Sequence, residues 1–173
     1  MHLLINFAAF QIGWFSSVIG GAKQMPWLGP VAVMIAVLLH LAYAPKPKAE
    51  FSLILLCGVL GAVFDSVLVA AGWVTYPSGL VADFMAPYWI VAMWMLFATT
   101  LNVSLKWLKD RPALAAVMGF VAGPMSYVAG QKLGGMEFTN ETAAIAALAI
   151  GWALMMPALT LLADRFNGME LAK

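Results

Sequence analysis

The chain has 173 residues, of which 64% are hydrophobic and only 10% charged, and its formal net charge is +1. Soluble domains run near about 45–50% apolar and about 25% charged, so these proportions exclude an ordinary soluble domain. The near-balanced charge, with no basic tract, excludes nucleic acid as a partner.

Lipid offers no partner to open backbone, which leaves a helix bundle or a closed barrel. Barrel strands alternate apolar and polar residues over about ten positions. Here the apolar runs continue for about twenty, which is helical spacing across a membrane. The N-terminal stretch MHLLINFAAFQIGW lacks a positive leader and an Ala-x-Ala site, so it reads as a first membrane helix, about 3–22. A second helix is expected over about 27–44, opened by Pro26 and closed by Pro45 and Pro47. A third covers about 51–73, and a fourth about 87–108 with Pro87 in its first turn. A fifth covers about 112–133 and a sixth about 142–163. The expected fold is therefore all-α: a polytopic bundle of six transmembrane helices forming one integral membrane domain over residues 1–173. The longest loop, Val74–Ala86, is short enough to fold over the bundle as a lid.

Orientation follows from Lys and Arg. Lys46, Lys48, Lys106, Lys109, Arg111, Arg165 and Lys173 fall on one side, and only Lys23 and Lys132 on the other. Both termini are accordingly expected in the cytoplasm. Trp27, Trp73, Tyr76, Tyr88 and Trp89 read as an outer aromatic belt, and Tyr43 and Trp107 as an inner one. On the fifth helix Gly119, Gly123, Gly130 and Gly134 share a face with Tyr127, a small-residue pattern that lets helices approach closely. Ala143, Ala147 and Gly151 repeat it on the sixth helix, and Gly58, Ala62, Asp65, Val69 and Gly72 on the third.

Asp65 is the one charged-type residue expected deep in the bilayer. A charge there costs roughly 2.5–3.5 kcal/mol on insertion scales, so polar groups must face it. At about 21 Å along its helix, by the 1.5 Å rise, Asp65 comes level with Ser17, Trp94 and Tyr127, with Ser66 and Ser126 one residue away. No Lys or Arg stands at that height, so a largely protonated carboxyl is expected. Its two readings are a proton-handling or headgroup-binding group and a tie between helices. Gln11 is a further polar candidate on the first helix, and Asn6, His40 and Asn102 form a candidate inner layer. No pair of His residues has a metal-ligand spacing, so no metal is expected. No nucleotide loop, zinc-protease motif or serine-hydrolase elbow is present, so no cofactor is expected and no catalytic set is assigned.

Several segments carry a resemblance: Asn6 with FQIGWF (Phe10–Phe15), FDS (Phe64–Ser66), Trp94 with LFATTLNVS (Leu96–Ser104), and GPMSYVAG (Gly123–Gly130). Together they resemble domain-of-unknown-function family 2878. The resemblance implies a small proteobacterial inner-membrane protein of unsettled activity, whose relatives accompany cyclopropane-fatty-acid-synthase-like enzymes. It supplies no catalytic residues. The expected function is binding of a lipid or apolar small molecule, linked to membrane-lipid modification through the polar layer at Asp65. The alternatives are a small proton-coupled transporter and an assembly subunit docking another membrane protein. Expected partners are membrane lipids, with a second copy of the chain or a lipid-modifying enzyme as alternatives.

Overall fold

A computed structural model of the protein describes residues 3–170. Lys173, used above for orientation, and His2 lie outside the described residues. The helices are α1 (Leu3–Ala22), α2 (Leu28–Tyr43), α3 (Pro47–Ala70), α4 (Tyr88–Leu101), α5 (Pro112–Lys132) and α6 (Glu141–Arg165). Two short strands, β1 (Val74–Thr75) and β2 (Glu137–Phe138), pair antiparallel with Val74 opposite Phe138.

α1, α3, α5 and α6 are long and apolar enough to cross a membrane. Their outer faces carry exposed side chains such as Leu4, Val63, Val117 and Leu154. Exposed apolar surface on this scale is what a lipid-facing protein presents. α2 has 16 residues and α4 only 14. At 1.5 Å per residue these span about 24 and about 21 Å, short of the roughly 30 Å core.

Three boundaries differ from the sequence expectation for identifiable reasons. The fourth helix does not run to residue 108. The Thr99 and Thr100 hydroxyls donate back to the carbonyls of Leu96 (2.7 Å) and Phe97 (2.6 Å). Asn102 then leaves the helix, and Lys106–Leu108 forms a separate 3₁₀ turn. Hydroxyl back-bonding of this kind weakens a helix end. The third helix begins at Pro47, not Phe51, because proline at the first position has no N–H to satisfy and a preset φ. This earlier start draws Glu50 into the helix. At its other end α3 stops before Trp73, where Gly72 takes φ +68° and its N–H reaches Val69 O at 2.9 Å. α5 and α6 continue through Pro124 and Pro157.

α1 to α4 form one group with α4 at its centre, and α5 and α6 pack together as a hairpin. The hairpin docks mainly through α6 against α3 and α4, so α5 and α1 flank a gap. The loop after α3 is a fixed cap on the end of the bundle where α1 ends and α4 begins. Besides the β1–β2 pairing, Ser78 Oγ donates to Gly21 O (2.7 Å), Gln24 Nε2 to Pro77 O (3.0 Å), and Ala86 N–H to Ser66 Oγ (2.9 Å). Tyr76 and Trp89, expected in an outer aromatic belt, are instead buried under this cap and packed edge-to-face at 5.5 Å.

Candidate functional site

Asp65 lies fully buried on α3 and accepts from three side chains. Trp94 Nε1 reaches Oδ2 at 2.6 Å, while the Tyr127 and Tyr76 hydroxyls reach Oδ1 at 2.8 and 3.2 Å. One donor comes from α4, one from α5 and one from the cap, so the carboxyl joins three parts of the fold. Glycines make this possible. A Cβ on Gly61, one turn before Asp65, would overlap the Trp94 indole, so only glycine lets that ring lie on α3. Trp94 then stacks on Trp152 with centroids 4.6 Å apart and planes 14° apart. Trp152 itself rests on Gly119 and Gly123 of α5.

The indole can only donate, whereas a phenol can donate or accept. Three donors therefore satisfy an ionised carboxylate without a cation, and a neutral acid can instead give its hydrogen to a tyrosine oxygen. Absence of Lys or Arg, the basis for expecting a protonated group, does not by itself decide its state. The cluster can hold either form, and that is its chemical capacity.

Of the residues expected level with Asp65, Trp94 and Tyr127 do meet it. Ser17 instead donates to Gly13 O (2.8 Å) and packs against Gly29 where α1 and α2 cross. Ser126 donates to Gly123 O (2.7 Å), and Ser66 accepts from the cap. Gln11 is half-buried on α1 and takes no part in the cluster. Equal height does not put side chains on facing sides of their helices. Tyr76 was missed as a ligand of Asp65 because it reads as a loop residue; only the cap's path brings it inward. Of the four glycines expected on one packing face, Gly119 and Gly123 do pack closely. Gly130 meets only Met136, at 3.8 Å, and Gly134 lies past the end of α5 with φ +80°.

A second polar cluster closes the opposite end. Glu50 and His40 are both fully buried, with Nε2 and Oε2 2.7 Å apart. Asn102 Nδ2 and Gly168 N–H each donate to Glu50 Oε1 at 2.7 Å. Asp65 is thus not the sole carboxylate within the bundle. His40 and Asn102, expected in the inner layer, are both partners in this cluster. Asn6 stands apart, donating to Thr99 O (3.0 Å) and accepting from Ser104 Oγ (2.6 Å). Beyond the cluster, Lys106 pairs with exposed Glu170 at 2.6 Å and holds its carboxyl below the usual range, first through their hydrogen bond and then through its charge.

Between α1, α4, α5 and α6 lies a cavity of about 290 Å³, partly open and lined by Phe10, Trp14, Met93, Phe97, Gly130, Trp152 and neighbouring apolar residues. Trp94 and Tyr127 belong to its wall. Tyr76, the third ligand of Asp65, lines a separate pocket at the cap with Gln131 and Glu137, and Met136 borders both spaces. Asp65 therefore stands behind the partition between them. α1 and α5 both contribute to its wall, and neither packs extensively on the other.

The family described as protein of unknown function (DUF2878) matches residues 3–158, and the chain belongs to that family. No curated protein and no solved structure matches the chain.

Proposed function

For this member of the family, we propose a protein of the bacterial inner membrane whose six helices all cross the bilayer, with both termini cytoplasmic. Its function is to take an apolar molecule or lipid chain from the bilayer into the cavity between α1 and α5. The observation that carries this reading is the apolar cavity itself, about 290 Å³, partly open, with α1 and α5 in its wall and two of the three side chains that hold Asp65 lining it. Ligand sites run from about 300 to 1,000 Å³, so the volume suits one small molecule or a length of chain. The short α2 and α4 cross by virtue of their place against longer neighbours, and the asymmetry of Lys and Arg supports the orientation.

The test is native mass spectrometry of the protein from mild detergent, with analysis of the lipids retained. One retained species, lost in Gly130→Leu where the new side chain fills the cavity, is the expected result. Only bulk lipids in bulk proportions would count against the reading. A second reading, a proton-coupled transporter, is favoured by the place of Asp65 between the cavity and the pocket at the cap. Uptake into proteoliposomes that depends on a proton gradient and disappears in Asp65→Asn would select it. The assembly-subunit reading is weakened because Gly119 and Gly123 are already occupied by Trp152.

A further inference from the structure

The short fourth helix leaves membrane depth unfilled, and the chain before it fills that depth. α4 spans about 21 Å of a core of roughly 30 Å, which leaves about 9 Å. It ends beside Glu50, in the first turn of α3, where Asn102 Nδ2 donates to Glu50 Oε1 at 2.7 Å. The unfilled depth therefore lies at the other end, before Tyr88. There Ala86 N–H donates to Ser66 Oγ (2.9 Å). Ser66 stands four residues before Ala70 at the end of α3, about 6 Å back along that helix. The chain entering α4 thus lies beside α3 within its last turns, close to where Val63 and Val67 are exposed.

The loop before Ala86 is closed at its base. Gly79 takes φ +83°, and a Cβ there would meet Trp89, so glycine lets the chain turn this close to the indole. Tyr88 N–H returns to Gly79 O (3.1 Å), Met85 N–H to Ala82 O (3.0 Å), and Trp89 Nε1 holds Ser78 O (3.0 Å). With its base fixed, the loop turns large apolar side chains outward. Val81 is 74% exposed and Phe84 64%, and Leu80 and Met85 are exposed beside them. Such a patch marks a membrane or protein contact, not a water-facing turn. Its continuity, through Ala86 and Ser66, with the exposed apolar side of α3 selects lipid. Asp83 is the one charged residue among residues 74–86, and it is exposed. Its carboxylate is costly to place in hydrocarbon, so the tip of the loop stops at the headgroups.

We propose that Leu80–Met85 is a membrane-surface anchor whose partner is the phospholipid leaflet at this end of the bundle. Val81, Phe84 and Met85 enter the boundary of the acyl chains, and Asp83 stays among the headgroups. This rests on the reading above that α4 crosses the bilayer. Because the same cap carries Tyr76 to Asp65, the leaflet holds from outside the cap that Ser66 holds from within.

The test places nitroxide labels on single cysteines, Val81→Cys, Asp83→Cys and Phe84→Cys, with Val63→Cys and Lys23→Cys as deep and aqueous references, in phosphatidylcholine nanodiscs. Cys57 is fully buried, and the unsubstituted chain is the labelling blank. Collision with oxygen and with a water-soluble nickel chelate gives the depth of each label. Val81→Cys and Phe84→Cys are expected about 5–10 Å below the headgroups, and Asp83→Cys at their level. In sealed vesicles of one orientation, a membrane-impermeant maleimide is expected to reach exposed Thr75→Cys or exposed Asp110→Cys, but not both. If that holds while Val81→Cys and Phe84→Cys meet nickel as freely as Lys23→Cys, the anchor is refuted and the crossing of α4 stands. Labels there that neither oxygen nor nickel reaches would show a protein covering the loop, and would refute it equally. If Thr75→Cys and Asp110→Cys react from the same side, the crossing fails and the anchor falls with it.

Discussion

Replacing Asp65 by alanine removes the acceptor of three buried donors at once, at 2.6, 2.8 and 3.2 Å. Side-chain hydrogen bonds inside membrane proteins average about 0.6 kcal/mol each, which gives about 2 kcal/mol for the three. A buried donor left without a partner adds about 1 kcal/mol or more apiece. Asp65→Ala is therefore expected to cost about 5 kcal/mol. At about 2–4 °C per kcal/mol for a chain of this size, Tm falls by about 10–20 °C. Asp65→Asn is expected to cost far less, about 1 kcal/mol. Its amide oxygen can accept from Trp94 while its NH₂ donates to the two tyrosine oxygens. The assay is thermal unfolding of both variants in one detergent, read by tryptophan fluorescence and by retention of the monodisperse peak. If Asp65→Ala melts within about 2 °C of wild type, the carboxyl does not join α3, α4 and the cap energetically, and the argument from these three bonds fails.

Gly61→Ala places a methyl inside the Trp94 indole, so the ring must leave α3 or the helices must part. Overpacking of this kind costs about 1–3 kcal/mol, and a matching drop in thermal stability with a shifted tryptophan emission is expected. Gly58→Ala meets the flexible Met95 side chain at 2.9 Å and Val91 at an ordinary 3.9 Å, and serves as the mild control; equal damage from both variants would refute the seating of Trp94. At the other end, Glu50→Ala strands the N–H donors of Asn102 and Gly168 together with His40 Nε2. Limited proteolysis should then cut after Arg165 faster than in wild type, while Glu50→Gln, which keeps an acceptor for Gly168, should cut at a nearly unchanged rate.

The sequence made the helices legible because lipid imposes one strong constraint, continuous apolar length, and α1 and α5 start and stop close to where that length does. It made Asp65 legible for the same reason, since a carboxylate in such a run stands out. It did not show which of the polar residues at that height face one another. Ser17 and Trp94 are level, yet one seals a helix crossing against Gly29 and the other donates to Asp65. Rotation about each helix axis is fixed by packing, and the signal for it lay in Gly61, whose need to be glycine comes from an indole that belongs to another helix. Glu50 was illegible because it sits just past Pro47, where a helix start and a loop read alike. Tyr76 was illegible because a loop's path is set by its anchors, Ser66, Gly21 and the strand at Glu137–Phe138, and not by its own composition.

The two buried carboxylates stand on one helix, fifteen positions apart, or about 22 Å along its axis. Each is held at a place where α3 meets an otherwise separate piece of the chain. Glu50 receives the backbone N–H of Gly168, which follows α6, and Asp65 receives Tyr76 from the cap and Tyr127 from α5. The α5–α6 hairpin is thus tied to the other four helices by a polar contact at either end, with the apolar cavity between them. A structural tie alone would not require Asp65 to have one ligand in the cavity wall and another in the pocket at the cap. A protonated Asp65 has one hydrogen to give, so a change in its protonation reverses the donor role of one of the two tyrosines, Tyr127 or Tyr76. If that proton moves when the cavity is filled, occupancy of the cavity and the seating of the cap are coupled, and the coupling is reciprocal. Binding of a ligand against Tyr127 should therefore alter protection of the cap amides 74–86 in hydrogen exchange, and Asp65→Asn should remove that response while leaving the cap folded. A cap that exchanges identically with and without a bound ligand would reduce Asp65 to a tie between helices.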